Sequence, residues 1–326
     1  MSNNASRRAF IAWAPYGRRS ESLARELEAT VHFIHYLKFQ NPPYAPVKYA
    51  LQAVRTLQVL FSEYPDVVFV QNPPFVCGLF VYLYCRLSSA RFVLDHHSAA
   101  FARGWDWALS IQKFLARRAI TNVVTNQHWV DILCSWSADA FVLEDPLVVP
   151  QEVQQFAIAP GFNVAYINTF AADEPLDAVL QAASRLSEVH FYITGDTSKK
   201  PDGFFQDCPS NVTFTGFLPD AQYFGLLTAA QAVMALTTRD HTLQCGGIEA
   251  VSLGKPLIVS DWPYLRSLFP GGSIYVRNSS NGIREGILLM QEQHEAFERE
   301  MQSFAEQSRR EWDAQLGQLK QIIASQ

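Results

Sequence analysis

The fold class of this chain is decided by residues 236–261, LTTRDHTLQCGGIEAVSLGKPLIVSD. The stretch begins with the end of an apolar strand, continues through a polar loop to two adjacent glycines and a helix, and returns after Gly254 to a second strand. Small residues at the start of a helix let a phosphate approach the backbone N–H groups. We therefore predict a phosphate-binding loop, whose residues are Thr242, Gln244, Cys245 and Gly246.

Glu249 lies about one turn into this predicted helix. A carboxylate at such a point can accept two hydrogen bonds from the vicinal hydroxyls of a ribose, as the acidic residue of a dinucleotide-binding fold does. The alternative interpretation is an ordinary helix start followed by a surface carboxylate. The loop alone does not decide between the two.

The alternation of apolar strand and helix extends in both directions from this stretch. Strands are predicted at residues 9–14, 31–35, 66–70, 91–94, 122–125, 140–143, 163–168, 189–194, 212–215, 232–236 and 256–260. Helices are predicted at residues 20–27, capped by Ser20 or Ser22, and at 44–61, 75–84, 174–186 and from 281 onward. Strands that are apolar on both faces and alternate with helices indicate α/β domains with parallel sheets.

Residues 144–160, EDPLVVPQEVQQFAIAP, contain three prolines and have the composition of a connector between domains. We predict two Rossmann-like, doubly wound domains that face each other across a cleft, residues 1–148 and 149–290. The helices of residues 291–326 are expected to pack back on the first domain. Ligands of doubly wound sheets bind beyond the carboxyl ends of the strands, which places the candidate site in the loops that follow them.

Composition narrows the class of protein. The chain has 326 residues, 48% of them hydrophobic and 17% charged, with a formal net charge of -5, so general nucleic-acid binding is not expected. Five cysteines without a C-x-x-C motif suggest neither a zinc site nor a disulfide framework, and favour a reducing compartment. The N-terminus lacks the apolar core of a signal peptide, and the longest apolar run is too short to span a bilayer, so we expect a cytoplasmic protein.

Two further stretches carry a family resemblance. Residues 211–233, NVTFTGFLPDAQYFGLLTAAQAV, followed by GIEAVSLGKPLIVSD, resemble the donor domain of retaining GT-B glycosyltransferases. That family shows N-V-x-F-x-G-x-x-P, a helix ending in A-x-x-V, and a Glu-x7-Glu block. The match is collinear over most of residues 163–276, whereas the first half of the chain matches only in layout.

The resemblance implies a GT-B enzyme that transfers a hexosyl group from a UDP- or GDP-sugar, with retention, as in polysaccharide biosynthesis. No cofactor besides this donor is implied. The residues it assigns to donor binding are Glu249 for the ribose, Phe217 and Leu218 beside the base, Gly195 and Asp196 at a strand end, and Cys245, Gly246 and Gly17 near the diphosphate.

The sequence departs from the family in two places. His241, with Asp240 beside it, stands where the first Glu of the block would contact the transferred sugar. The family's basic pair is replaced by NTFAADEPL, so other residues must offset the charge of the diphosphate. Our candidates are Arg239, Arg18 and Arg19, followed by Arg266; the alternative for Arg18 and Arg19 is ordinary solvated charge.

The stretch VLDHHSAAF, residues 93–101, is the second candidate for chemistry. Asp95, His96 and His97 follow a strand end, where a histidine can bind a sugar or act as a base near neutral pH. Adjacent side chains on a strand point to opposite sides, so one histidine at most is expected to face the site. The alternative is one structural histidine with its hydrogen bonds satisfied and one that is merely exposed. A metal site is not expected, because adjacent ligands seldom converge and the chain contains no D-x-D motif.

Candidate acceptor residues lie in the first half of the chain. Asn72 follows a strand, and Trp105, Trp107 and Trp129 suit either an acceptor groove or the core. Residues 33–55 combine tyrosines with Lys38, Lys48 and Arg55, which fits either contact with the inner face of a membrane or a buried helix with solvated lysines. The expected partners are a nucleotide-sugar and a glycan or lipid-linked acceptor.

Two other functions remain open at this point. A nucleotide-sugar 2-epimerase shares the architecture, although the carboxylates needed for elimination and readdition of the nucleotide are not evident. A non-catalytic glycosyltransferase-like partner subunit would explain the missing basic pair and the histidine at position 241. A dehydrogenase is disfavoured because no G-x-G-x-x-G follows a strand.

Overall fold

The computed structural model describes residues 6–37, 44–101, 103–148, 150, 152–201 and 203–325. The chain divides into two compact units: unit 1 comprises Met1–Pro146 and Glu311–Gln326, and unit 2 comprises Leu147–Arg310. Each unit contains a six-stranded sheet in which all described strand pairs are parallel. The predicted α/β class with two doubly wound domains is confirmed.

The sheet of unit 1 has the strand order β2-β1-β3-β4-β5-β6. Its strands are β1 Arg8–Ala12, β2 Thr30–Phe33, β3 Val67–Asn72, β4 Arg91–His96, β5 Asn122–Val124 and β6 Ala140–Val142. The helices are α1 Arg18–Glu26, α2 Ala45–Glu63, α3 Phe75–Leu87, α4 Leu109–Ala116 and α5 Gln127–Ser135, with short 3-10 turns at Ser98–Phe101 and Arg103–Ala108. Every residue of β3 is buried, as expected for a central parallel strand.

The start of α1 differs from the prediction. The helix begins at Arg18 with Gly17 as its N-cap residue, and no side chain caps it. Ser20 is fully buried, and its hydroxyl donates to Gln71 Oε1 at 2.8 Å. A tertiary partner therefore takes the hydroxyl that the local pattern assigned to a cap.

The sheet of unit 2 has the strand order β12-β11-β10-β7-β8-β9. Its strands are β7 Phe162–Tyr166, β8 Val189–Thr194, β9 Val212–Gly216, β10 Ala232–Ala235, β11 Leu257–Ser260 and β12 Ser273–Val276. The helices are α6 Leu176–Ala183, α7 Asp220–Ala229, α8 Cys245–Ser252, α9 Pro263–Leu268, α10 Ser280–Glu292 and α11 His294–Ala324, which continues into the part of the chain assigned to unit 1. The sequence did not predict β12.

The predicted connector packs on unit 2 from Leu147 onward. The backbone N–H of Gln154 donates to the Ala221 carbonyl oxygen of α7 at 3.0 Å. A Cβ on Gly225 would lie 1.9 Å from the Gln154 carbonyl oxygen, so only glycine permits this approach. No helix in the described part of the chain is both long and apolar enough to cross a bilayer.

Candidate functional site

The junction between β10 and α8 contains the predicted phosphate-binding residues. Gln244 is the N-cap residue of α8, and its amide nitrogen donates to the Leu236 carbonyl oxygen at 3.1 Å. A Cβ on Gly246 would lie 2.6 Å from Ile167 Cδ1, so this glycine lets the start of α8 pack against the residue that follows β7. Cys245 is exposed at the first position of α8.

Glu249 lies in the second turn of α8 and is only 3% exposed. Its Oε2 accepts a hydrogen bond from the Tyr223 hydroxyl of α7. A buried carboxylate requires such polar partners because removing it from water is costly. This burial excludes the alternative in which Glu249 is a surface carboxylate.

The loop after β10 presents titratable side chains at the surface. The Arg239 side chain is 66% exposed, and its Nη2 lies 3.7 Å from Asp173 Oδ1. His241 is exposed with a φ of +52°, and its N–H donates to Asp240 Oδ1 at 2.7 Å. The Thr242 hydroxyl donates to the Asp240 carbonyl oxygen at 3.3 Å. The structure thus brings Arg239 and Asp173 together from the loops after β10 and β7.

Two lysines that the sequence analysis did not select lie against the loop after β7. Lys199 Nζ donates to the Thr169 carbonyl oxygen at 2.9 Å. Lys200 Nζ lies 5.7 Å from the centre of the Phe170 ring and 4.8 Å from that of Phe204. The loop after β7 is the one in which the family's basic pair is missing, and the two adjacent lysines that follow Gly195-Asp196 after Thr197 and Ser198 are the sequence signal for positive charge beside it.

Gly195 and Asp196 shape the turn that carries these lysines. Gly195 has a φ of +118°, and a Cβ there would lie 2.4 Å from the Asn168 carbonyl oxygen, so only glycine fits. Asp196 Oδ1 accepts hydrogen bonds from the Ser198 N–H at 3.0 Å and from its hydroxyl at 2.6 Å. These hydrogen bonds lower the pKa of Asp196 below its ordinary value.

Phe217 and Leu218 follow β9 and differ in their surroundings. Phe217 is 82% exposed, whereas Leu218 is partly buried against the core of unit 2. An exposed aromatic ring at the carboxyl end of a strand offers a face on which a nucleotide base can stack.

In unit 1, Arg19 forms a buried ion-pair network. Its Nη2 lies 3.0 Å from Asp95 Oδ1, its Nη1 contacts Asp145, and it also donates to the Leu143 carbonyl oxygen. Although burial opposes ionisation of Asp95, the Arg19 guanidinium holds the pKa of that carboxyl well below its usual range. Arg19 therefore pairs with carboxylates inside unit 1. The sequence analysis had considered only binding of the diphosphate or a solvated charge for this residue. Arg18, the adjacent residue, is half-buried at the start of α1.

His96 is 1% exposed and both of its ring nitrogens are engaged. Asn122 Nδ2 donates to the Ala116 and Asp139 carbonyl oxygens, so its Oδ1 accepts from His96 Nε2 at 2.9 Å. Nδ1 of the imidazole then accepts from Asn72 Nδ2 at 2.9 Å. Burial lowers the pKa of His96 to about 4, which keeps this imidazole neutral near neutral pH. Asn72, itself 3% exposed, belongs to the same buried network.

His97 differs from its neighbour because its side chain is 31% exposed. Its Nε2 lies 3.4 Å from Asp95 Oδ2, and its backbone N–H donates to the Asn72 carbonyl oxygen at 2.8 Å. Of the two adjacent histidines, His97 is the one that reaches the surface of unit 1.

The tryptophans of unit 1 also fall into two groups. Trp129 stacks on Phe101 with ring centres 4.5 Å apart. Trp105 and Trp107 both meet Phe75 edge-on, at 5.7 and 5.4 Å, and Trp107 is 73% exposed. Trp129 therefore serves packing, whereas Trp107 presents an open ring.

Helix α2 buries a lysine and exposes several apolar residues. Lys48 is 6% exposed, whereas Val47, Leu51 and Val54 are 58%, 44% and 57% exposed. The alternative of a buried helix with solvated lysines is therefore wrong for Lys48. Lys38, the other lysine of this segment, lies outside the described residues.

This chain resembles a known family in sequence and several known proteins in fold. Residues 177–316 match a family model described as glycosyl transferase-like. Three solved structures cover 98% of the chain: sucrose-phosphate synthase from Thermosynechococcus elongatus, HepE from Anabaena in complex with UDP-glucose, and a glycosyltransferase from Rickettsia africae. Their TM-scores are 0.73, 0.71 and 0.69, at 13%, 14% and 10% identity, over 98%, 100% and 98% of those chains. No curated protein matches at a significant level.

The fold is therefore that of the GT-B glycosyltransferases, as predicted. The matched residues begin in α6 and include the β10–α8 junction with Glu249. The family model and the structural neighbours together support a glycosyltransferase.

Proposed function

We propose that this protein is a hexosyltransferase that moves a sugar from a UDP- or GDP-sugar to a glycan or lipid-linked acceptor, with retention and without a metal ion. The observation that carries the proposal is the buried Glu249 on α8, within the stretch that matches the glycosyl transferase-like family. HepE, one of the structural neighbours, binds UDP-glucose, which supports UDP as the donor nucleotide.

In this proposal Glu249 binds the ribose hydroxyls, and Phe217 provides the face beside the base. The diphosphate meets the N–H groups at the start of α8, where the helix dipole favours negative charge. Lys199 and Arg239 supply the positive charge that the missing basic pair would have contributed. Negative charge builds on the leaving diphosphate in the transition state, and these positive groups stabilise that charge as it develops.

The part of unit 1 that touches the sugar is assigned to His97. Its partial exposure and its distance of 3.4 Å from the buried, ionised Asp95 support this choice over His96. Asp95 then orients the imidazole. His241, at the surface of unit 2, takes the position that contacts the transferred sugar in the family. We further propose a cytoplasmic protein in peripheral contact with the inner face of the membrane, which the exposed apolar residues of α2 support.

The test is a thermal-shift screen of the full chain against UDP-, GDP-, ADP- and TDP-sugars, with Glu249→Gln as the variant. A UDP- or GDP-sugar is expected to raise the melting temperature, and the variant to lose that rise. Equal stabilisation of both proteins would remove the role of Glu249. Failure of every nucleotide-sugar to bind would support the non-catalytic subunit instead.

Product analysis separates the remaining alternatives. NMR of the glycoside formed from the best donor should show the anomeric configuration of that donor. Conversion of the donor to its 2-epimer in the absence of an acceptor would establish the epimerase.

A further inference from the structure

A cavity of about 440 Å³ lies in unit 2 at the carboxyl ends of β10, β11 and β12. The residues that line it are Thr238, Asp261, Trp262, Val276, Arg277 and Asn278. Its volume lies within the range of about 300–1,000 Å³ that is typical of small-molecule sites. None of the residues that the sequence analysis selected lines it.

Two side chains of the cavity are fixed by buried hydrogen bonds. Asn278 Oδ1 accepts from the Ser260 hydroxyl, and Asn278 Nδ2 donates to the Thr237 carbonyl oxygen, both at 2.8 Å. Trp262 Nε1 donates to the same carbonyl oxygen at 3.0 Å. Ser260 and Thr237 are fully buried, so the amide and the indole ring are held in place before any ligand arrives.

The charged groups around the cavity leave one positive charge uncompensated. Asp261 Oδ1 accepts from Arg266 Nε, and the Arg266 guanidinium lies 4.3 Å from the centre of the Tyr275 ring. Arg277 is exposed, lines the same cavity, and its charge contributes with that of Arg266 to lowering the pKa of Asp261. Two guanidinium groups thus lie near a single carboxylate, which leaves a net positive charge that an anion can neutralise.

We propose that this cavity binds a saccharide unit that carries a carboxylate or a phosphate. An indole ring beside amide and hydroxyl groups suits the apolar face and the hydroxyls of a sugar. A guanidinium pairs with a carboxylate or phosphate through two parallel hydrogen bonds. The inference rests on the proposed function for the sugar ring, and on Arg277 for the negative charge.

The test is isothermal titration calorimetry of the full chain with glucuronate, glucose 6-phosphate, glucose and inorganic phosphate. At least one anionic sugar is expected to bind about tenfold more tightly than glucose or phosphate, and the two anionic sugars distinguish a carboxylate from a phosphate ligand. Arg277→Gln is expected to remove that tenfold preference. Arg299→Gln, a charge loss at a side chain that is 71% exposed on α11, should leave it unchanged.

Three results would overturn the proposal: equal affinity for glucose and the anionic sugars, equal effects of the two arginine variants, or no binding of any saccharide. Phosphate alone binding as tightly as the anionic sugars would reduce the site to an anion site and overturn the saccharide assignment. A second variant, Thr238→Phe, narrows the cavity from an exposed position and should weaken the binding of every sugar.

The same titration on Glu249→Gln keeps the two proposals apart. That variant should bind the anionic sugar normally even when it loses the nucleotide. If Glu249→Gln loses the thermal shift with the nucleotide-sugar but still binds the anionic sugar, the result bears on the donor site alone. If it keeps the thermal shift but no longer binds the anionic sugar, the result bears on the cavity alone.

Discussion

The adjacent histidines of β4 and its loop have opposite environments, as the alternation of side chains along a strand predicts, but the motif D-H-H does not show which of the two is buried. His96 lies between two buried asparagines and is neutral, whereas His97 is partly exposed beside Asp95. The cause is the strand order, which places β3 and β5 on either side of β4 and surrounds one of the two imidazoles with their side chains. The chemistry of each histidine is therefore set by residues distant in the chain.

The buried His96 predicts a loss of stability in mild acid. Its pKa of about 4 in the folded protein lies below the value of about 6.5 expected after unfolding. The unfolded chain thus binds the proton first, and the free energy of unfolding should fall by about 3 kcal/mol between pH 7 and pH 4 from this group. Urea unfolding at several pH values should show this fall in the wild type and His97→Gln, and a smaller one in His96→Gln. Identical profiles for all three proteins would contradict the assignment.

The Arg19–Asp95 ion pair makes a second prediction at this scale. Arg19→Met leaves the buried Asp95 carboxylate without its main partner and should lower the free energy of unfolding by about 3–5 kcal/mol. The matched control on the same helix is Arg25→Met, whose side chain is 55% exposed and should change stability by less than about 0.5 kcal/mol. Chemical denaturation at pH 7 measures both, and a small effect of Arg19→Met would show that Asp95 is solvated.

Lys199 is predicted to act on the diphosphate. Lys199→Met should weaken the binding of UDP about tenfold, because one charge-assisted hydrogen bond is lost, and should leave the binding of uridine unchanged. Calorimetry with the two ligands makes the comparison, and Lys320→Met serves as a charge control on α11. Equal weakening of UDP and uridine would point to a general disturbance of unit 2.

At the scale of elements, the sequence pattern located eleven strands and the structure added β12. This strand is four residues long at the edge of its sheet and pairs only with β11. Its strand conformation is established by the parallel pairing with β11. The predicted start of α1 was also wrong. Ser20, expected to cap the helix, instead donates its hydroxyl to Gln71 of β3, a partner distant in the sequence.

Two glycines within helices differ in the space available for a Cβ atom, and their substitution tests how closely the neighbouring segments pack. Gly225→Ala in α7 would bring a Cβ to 1.9 Å from the Gln154 carbonyl oxygen, and should destabilise the protein by about 1–3 kcal/mol. Gly317→Ala in α11 meets nothing within 4 Å and should stabilise the helix by about 0.5–1 kcal/mol. Thermal unfolding of both variants gives the comparison, and a neutral Gly225→Ala would mean that residues around Gln154 do not pack on α7.

At the scale of the whole molecule, we propose that in this GT-B fold helix N-termini and basic side chains take the place of a metal ion. We expect sugar transfer to continue when EDTA is added to the purified protein, because in the proposed function Lys199, Arg239 and the start of α8 offset the charge of the leaving group. The measurement is the initial rate with and without the chelator. Loss of activity that returns with Mg²⁺ or Mn²⁺ would contradict this prediction.

The sequence by itself determined the class of the molecule. Apolar strands that alternate with helices must bury both faces of each sheet, and this local pattern is enough to specify two doubly wound sheets. It also located the β10–α8 junction and Glu249, because glycine and acidic residues at a helix start are a local signal.

The tertiary structure decided the partners of individual side chains. The burial of Glu249 against Tyr223, the commitment of Arg19 to Asp95, and the position of Lys199 beside Thr169 all join residues from different elements. Strand order and helix packing determine which of these residues come into contact. Both depend on the burial of apolar side chains throughout the unit. No stretch of chain short enough to read as a motif contains that information.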